Sequence, residues 1–143
     1  MHAPVFYEAL LESYKEFLYV NSLSAGIGSN DIGLDRGQLG QERVVKFVKA
    51  GNKLLLIQPN YRYRAISDNI DEVRAVEEAF AQSVLWGFVI ESESNGKYTV
   101  NATDFFMQDT HNVRGRLARS NQGSYKLDRK RSPFYTDRTK ALP

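Results

Sequence analysis

An α+β domain, built on a mostly antiparallel β-sheet of five to seven strands with one or two helices, is what this 143-residue sequence predicts. Three observations carry the prediction. Short runs rich in aromatic and β-branched side chains alternate with the period of a strand. Two junctions between such runs, Gly51-Asn52 and Ser94-Asn95-Gly96, are hairpin-turn signals. One longer segment, 70–82, instead spaces its apolar residues with the period of a helix. The length is that of one domain with a core of its own.

Residues 5–10 (VFYEAL) and 16–23 (EFLYVNSL) read as the first strands. In the second, Leu18 and Val20 alternate with Phe17, Tyr19 and Asn21 and are expected on the core face. A helix competes for residues 7–14, where Tyr7, Leu10, Leu11 and Tyr14 recur at helical spacing. The run RVVKFVKAGNKLLLIQPN, 43–60, forms a hairpin turned at Gly51-Asn52 and ended by Pro59 and Asn60. YRYRAI, 61–66, suits a further strand or the same strand resuming past a bulge.

In SDNIDEVRAVEEAFAQSV, Ser67 or Asp68 can cap, acidic residues crowd the first turn, and Val73, Val76, Phe80 and Val84 share a helical stripe. Two strands joined at Asn95-Gly96 follow, with Trp86, Phe88 and Ile90 on one face and Tyr98 and Val100 opposite them. TDFFMQDTHNVRGRL predicts a short helix with Thr103 as its cap. From Ser120 the apolar periodicity fades, so 120–143 is expected as an extended basic segment anchored through Tyr125, Leu127, Phe134 and Tyr135.

Composition narrows the function classes. The longest apolar runs, 84–90 and 54–57, are far too short to cross a bilayer. Glu8 and Glu12 interrupt any secretory h-region at the start. The absence of cysteine excludes disulfides, thiolate zinc sites and cysteine nucleophiles. His2 and His111 share no ligand spacing, and HExxH is absent, so no zinc or other metal site and no cofactor is expected in this chain. Charge is uneven: residues 114–140 hold nine basic residues against Asp128 and Asp137, whereas the remainder holds ten basic and fifteen acidic.

The segment SAGIGSNDIGLDRGQLG, 24–40, with five glycines, offers several chemistries. As a dinucleotide loop it places Asp31 where the third glycine belongs, and its carboxylates repel a phosphate. As an EF-hand starting at Asp31 it puts Gly33 at a ligand position and Arg36 at the obligatory turn glycine. An irregular cation site using Asp31, Asp35 and backbone carbonyls stays open, as does a purely structural loop whose glycines supply positive φ. The reading adopted is a structured connection that turns Asn30, Asp31, Asp35, Arg36 and Gln38 toward a partner. Two rivals belong to other classes: a small hydrolase using Asp31 and Asp35 with Arg36, and a nucleic-acid binder using the basic C-terminal segment and its interleaved aromatics.

The strings EFLYVNSLSAGIGSNDIGLDRGQLGQERVVKFVKAGNKLLLIQPNYRYRA, EEAFAQSVLWGFVIES, VNATDFFMQD, YKLDRKRS and RTKALP carry a resemblance. They resemble the non-catalytic N-terminal region, a domain of unknown function, of large bacterial zinc-dependent metallopeptidases. The resemblance spans about 16–143, and GSNDIGLDRGQ is its most specific string. It implies that residues 1–143 are a single accessory domain, and that the HExxH-bearing catalytic domain comes later in the polypeptide, beyond Pro143. It implies a periplasmic or secreted location and no catalytic residue here. The implied partner is the downstream peptidase domain, with peptide substrate as a second; neither nucleic acid nor membrane insertion is expected.

Overall fold

The computed structural model describes residues 6–10, 15–23, 25, 32–63 and 66–134. Six strands, β1 (Phe6–Leu10), β2 (Glu16–Tyr19), β3 (Arg43–Ala50), β4 (Lys53–Gln58), β5 (Ser83–Ser94) and β6 (Lys97–Asn101), form one antiparallel sheet in the order β1-β6-β5-β4-β3-β2. Among the described residues three short helices join the sheet in an α+β fold: α1 (Ile70–Ala79), α2 (Thr103–Phe106) and α3 (Val113–Arg119).

Turn chemistry sets the registers. Asn95 and Gly96 both have positive φ (52° and 75°), the type I′ pattern that matches strand twist, and Ser94 pairs with Lys97 across them. At the other hairpin only Gly51 is positive (60°), the II′ pattern, and Ala50 pairs with Lys53. The long β5 pairs with β4 through 83–89 and with β6 through 90–94. A register shift at Ile90/Ser92 accompanies that change of partner, another at Leu56/Ile57 lies within the β4–β5 pairing, and both add twist.

The core lies on one sheet face. Val45, Leu54, Leu56, Phe88 and Val100 are buried there, with Phe47, Trp86, Ile90 and Tyr98 packed against them. Helix α2 closes this face by laying Phe105 on Phe88 (centroids 5.2 Å apart, 64°), Trp86 (5.7 Å) and Tyr19 (5.9 Å). The two edge-to-face contacts, to Phe88 and Trp86, add about 0.5–1.5 kcal/mol each beyond area burial. No buried side chain among the described residues is polar or charged.

Four expectations need correction. Leu18 is exposed while Tyr19 packs on the core and Phe17 on Phe47, so β2 presents the opposite face from the one predicted. The reason is register: Phe17 pairs with buried Val45, and Leu18 with exposed Val44. The cap of α1 is Asn69, whose side chain accepts from Asp71 N, while Ser67 Oγ accepts from Asn69 N. The stretch after β6 is two helices, not one; α2 starts at Thr103, and Asn101 Oδ1 accepts from its amide. Residues 61–63 are a turn outside the sheet, with Tyr63 stacked on Phe80 (4.1 Å, 10°). Arg64 and Ala65 lie outside the described residues, as do 11–14 of the competing N-terminal helix, whereas Phe6–Leu10 is strand.

Candidate functional site

The described part of the glycine-rich loop, residues 32–40, is fastened to its surroundings. Leu23 N donates to Gln38 O (3.1 Å), Gly37 N to Leu23 O (2.8 Å) and Gly40 N to Asn21 O (2.6 Å), and Ser22 bridges to Leu39. Gly33 and Gly37 take φ of +62° and +79°, where a side chain is strained. Ile32 and Leu34 are buried although they lie outside the main core cluster. From the far side Arg116 of α3 reaches in, its Nη1 donating to Ile32 O (2.9 Å) and Gly33 O (3.3 Å). An arginine is suited to this, because its planar fork donates in several directions without losing its charge.

Three of the five predicted site residues, Asp35, Arg36 and Gln38, fall into one turn. Asp35 and Arg36 are exposed on it. Gln38 is half-buried, and its Oε1 accepts from Asp35 N (3.1 Å) while Gln38 N donates to Asp35 O (3.2 Å). The Gln38 side chain therefore serves the turn itself. Asn30 and Asp31 lie outside the described residues.

Beside this loop, the 107–112 connection and α3 are built by local side-chain chemistry. Asp109 accepts from Val113 N (2.7 Å) and Arg114 N (2.9 Å), occupying donors that the helix start leaves over. At the other end Gln122 N donates to Leu117 O and Asn121 N to Ala118 O, a Schellman closure with Asn121 at φ 57°. His111 Nε2 lies 3.3 Å from Asn21 Nδ2, linking this connection to the loop.

The basic segment is partly spent on its own fold. Arg129 pairs with Asp104 of α2 (2.6 Å) and Arg131 with Asp128 (2.8 Å). The Arg131 guanidinium, then the Lys130 amide, hold the Asp128 carboxyl below its usual range. Across the sheet Lys49 Nζ meets Glu93 Oε2 at 2.6 Å and lies 4.9 Å from the Tyr98 ring centroid. The hydrogen bond from Lys49, then one from Tyr98, lowers the Glu93 carboxyl, and the same Glu93 contact raises Lys49.

The second sheet face is the larger surface feature. Cross-strand pairing puts Leu18 with Val44, Val48 with Leu55 and Gly87, Lys53 with Val89, and Ile57 with Val84 on this side. Leu18 is 64% exposed, Val44 39%, Val84 57% and Val89 51%. At one end, α1 contributes Val73, Val76 and Phe80 to a cleft that also includes Glu16 and Lys46. An antiparallel sheet open to water ordinarily alternates apolar with polar, whereas on this face aliphatic side chains stand exposed on β2, β3 and β5, with Lys53 beside Val89. No group of three or more His, Asp or Glu side chains among the described residues is placed to hold a metal ion, and none of the described helices is long and apolar enough to cross a membrane. A family model described as a domain of unknown function, DUF5117, matches residues 37–143. No curated protein and no solved structure matches the chain.

Proposed function

The chain belongs to the DUF5117 family of domains of unknown function, which its residues 37–143 match, and we propose that it is a non-catalytic interaction domain of an exported zinc-dependent metallopeptidase. It docks through its open sheet face onto the catalytic domain of the same polypeptide and helps position peptide substrate there. The observation that carries the docking reading is the aliphatic strip of Leu18, Val44, Val84 and Val89. Fully burying such a side chain is worth about 1.5–3 kcal/mol, and as these four are about half exposed each would contribute roughly half of that. The choice of partner is supported by the resemblance of the GSNDIGLDRGQ string and its flanks to the N-terminal regions of those peptidases. The test is calorimetric titration of this domain with the separately produced catalytic domain. Saturable binding with altered peptidase activity is expected; no interaction, together with unchanged activity, counts against the reading.

A further inference from the structure

A second surface, built from other residues, points to a ligand of different chemistry. Leu23, Val113, Leu117, Tyr125 and Leu127 line a groove of about 320 Å³ between α3, the connection before it and the chain that follows it. That volume is at the lower end of the range for ligand pockets, about 300–1,000 Å³. Gly123, at φ +108°, turns the chain so that the Tyr125 ring folds back beside it; a Cβ there would lie 3.1 Å from the ring. A residue without a side chain at 123 thus lets the Tyr125 ring lie close to the backbone.

Two cations, Arg114 and Lys126, also line this groove, both exposed and neither in an ion pair among the described residues. Its one carboxylate, Asp109, is already held by the Val113 and Arg114 amides. Residues 114–134 around it contain seven basic residues and a single acidic one, Asp128, which Arg131 occupies. The groove therefore combines an apolar wall with a net positive charge, two cations against the Asp109 carboxylate. Its complement is a chain segment that alternates aliphatic side chains with carboxylates.

We propose that this groove binds an extended acidic peptide, aliphatic side chains seated against Leu117 and Leu127 and carboxylates paired with Arg114 and Lys126. The wall favours peptide over nucleic acid. A strand of bases needs several stacking platforms along a track of cations, whereas the rings lining this groove are Tyr125 and the smaller His111 imidazole, among aliphatic side chains. The inference does not depend on the docking of the sheet face, since the two share no residue.

Fluorescence anisotropy on the full chain tests it. The probes are a short labelled peptide alternating Leu and Glu, its Leu–Lys twin, and unlabelled oligo(dT) as competitor. The Leu–Glu peptide should bind saturably, weaken with salt, and bind at least about tenfold more tightly than its twin. The double variant Arg114→Glu with Lys126→Glu should lose about tenfold in affinity, and Leu127→Asp a comparable amount. All three positions are exposed, so circular dichroism should report an intact fold. The proposal is overturned if the Leu–Glu peptide does not bind, if the twin binds as well, if the variants bind like wild type, or if oligo(dT) displaces the peptide.

Discussion

Replacing Arg116 with Met removes the clamp between α3 and the glycine-rich loop while keeping most of the apolar stem. Its Nη1 donates to Ile32 O at 2.9 Å and more weakly to Gly33 O at 3.3 Å. A hydrogen bond from a charged donor contributes about 1.5–3 kcal/mol. The site is only partly buried and one nitrogen serves both acceptors, so the expected loss is about 1.5–2 kcal/mol. Arg and Met have similar helix propensities, so the intrinsic stability of α3 hardly enters. The loss should concentrate in the loop. Amide exchange at Leu23, Gly37 and Gly40, whose hydrogen bonds fasten it, should speed up about tenfold or somewhat more, because about 1.4 kcal/mol corresponds to a factor of ten. Arg116→Lys should fall between, since an ammonium is a point donor without the fork. Hydrogen exchange with urea unfolding reads both effects. Unchanged protection of those three amides in Arg116→Met would refute the clamp.

Leu54, fully buried in the core, should cost about 2–5 kcal/mol as Leu54→Ala in urea unfolding; a loss below about 1 kcal/mol would contradict its placement. Asp109→Ala strips the acceptor from two amides at the start of α3 and should cost about 0.5–2 kcal/mol, read from thermal unfolding at neutral pH. The Glu93 carboxyl is lowered from its ordinary 4.5, so its contribution is present above that value and lost as pH falls through the lowered one. Lys49 is raised, so its share persists until pH climbs past its ordinary 10.5. Glu93→Gln should therefore flatten the acid limb of the stability–pH curve, and added salt should shrink the difference; identical acid limbs in variant and wild type would remove this pair from the account.

Much of the sheet was legible in the sequence because its signals are local. Gly51-Asn52 and Asn95-Gly96 declare their turns, and Trp86, Phe88, Ile90 and Val100 fall on the core face by strict alternation. What misled the reading of β2 is that Leu18 is as apolar as its neighbours, and which parity faces inward is decided by its partner. Only pairing with β3 settles that. The continuous apolar runs 54–57 and 84–90 put aliphatic side chains on both faces of the sheet, a pattern that alternation alone does not capture. The roles of Arg116 and Asp109 were hidden for different reasons. Arg116 acts 84 residues away from the loop it clamps, whereas the Asp109 contact is local but reads in sequence like any polar loop residue. Within the glycine-rich loop, Ile32 and Leu34 were the overlooked signal: two aliphatic side chains at alternate positions in a polar segment, both buried.

We propose docking of the outer sheet face of Leu18, Val44, Val84 and Val89 onto a metallopeptidase catalytic domain. The most direct measurement is the heat-capacity change of that association, from calorimetric titrations at several temperatures, for wild type and for Leu18→Asp with Val89→Asp. Burial of the aliphatic strip predicts a negative heat-capacity change for wild type and loss of detectable binding in the double variant. Absence of heat at every temperature for wild type, or equal binding by the double variant, would contradict it.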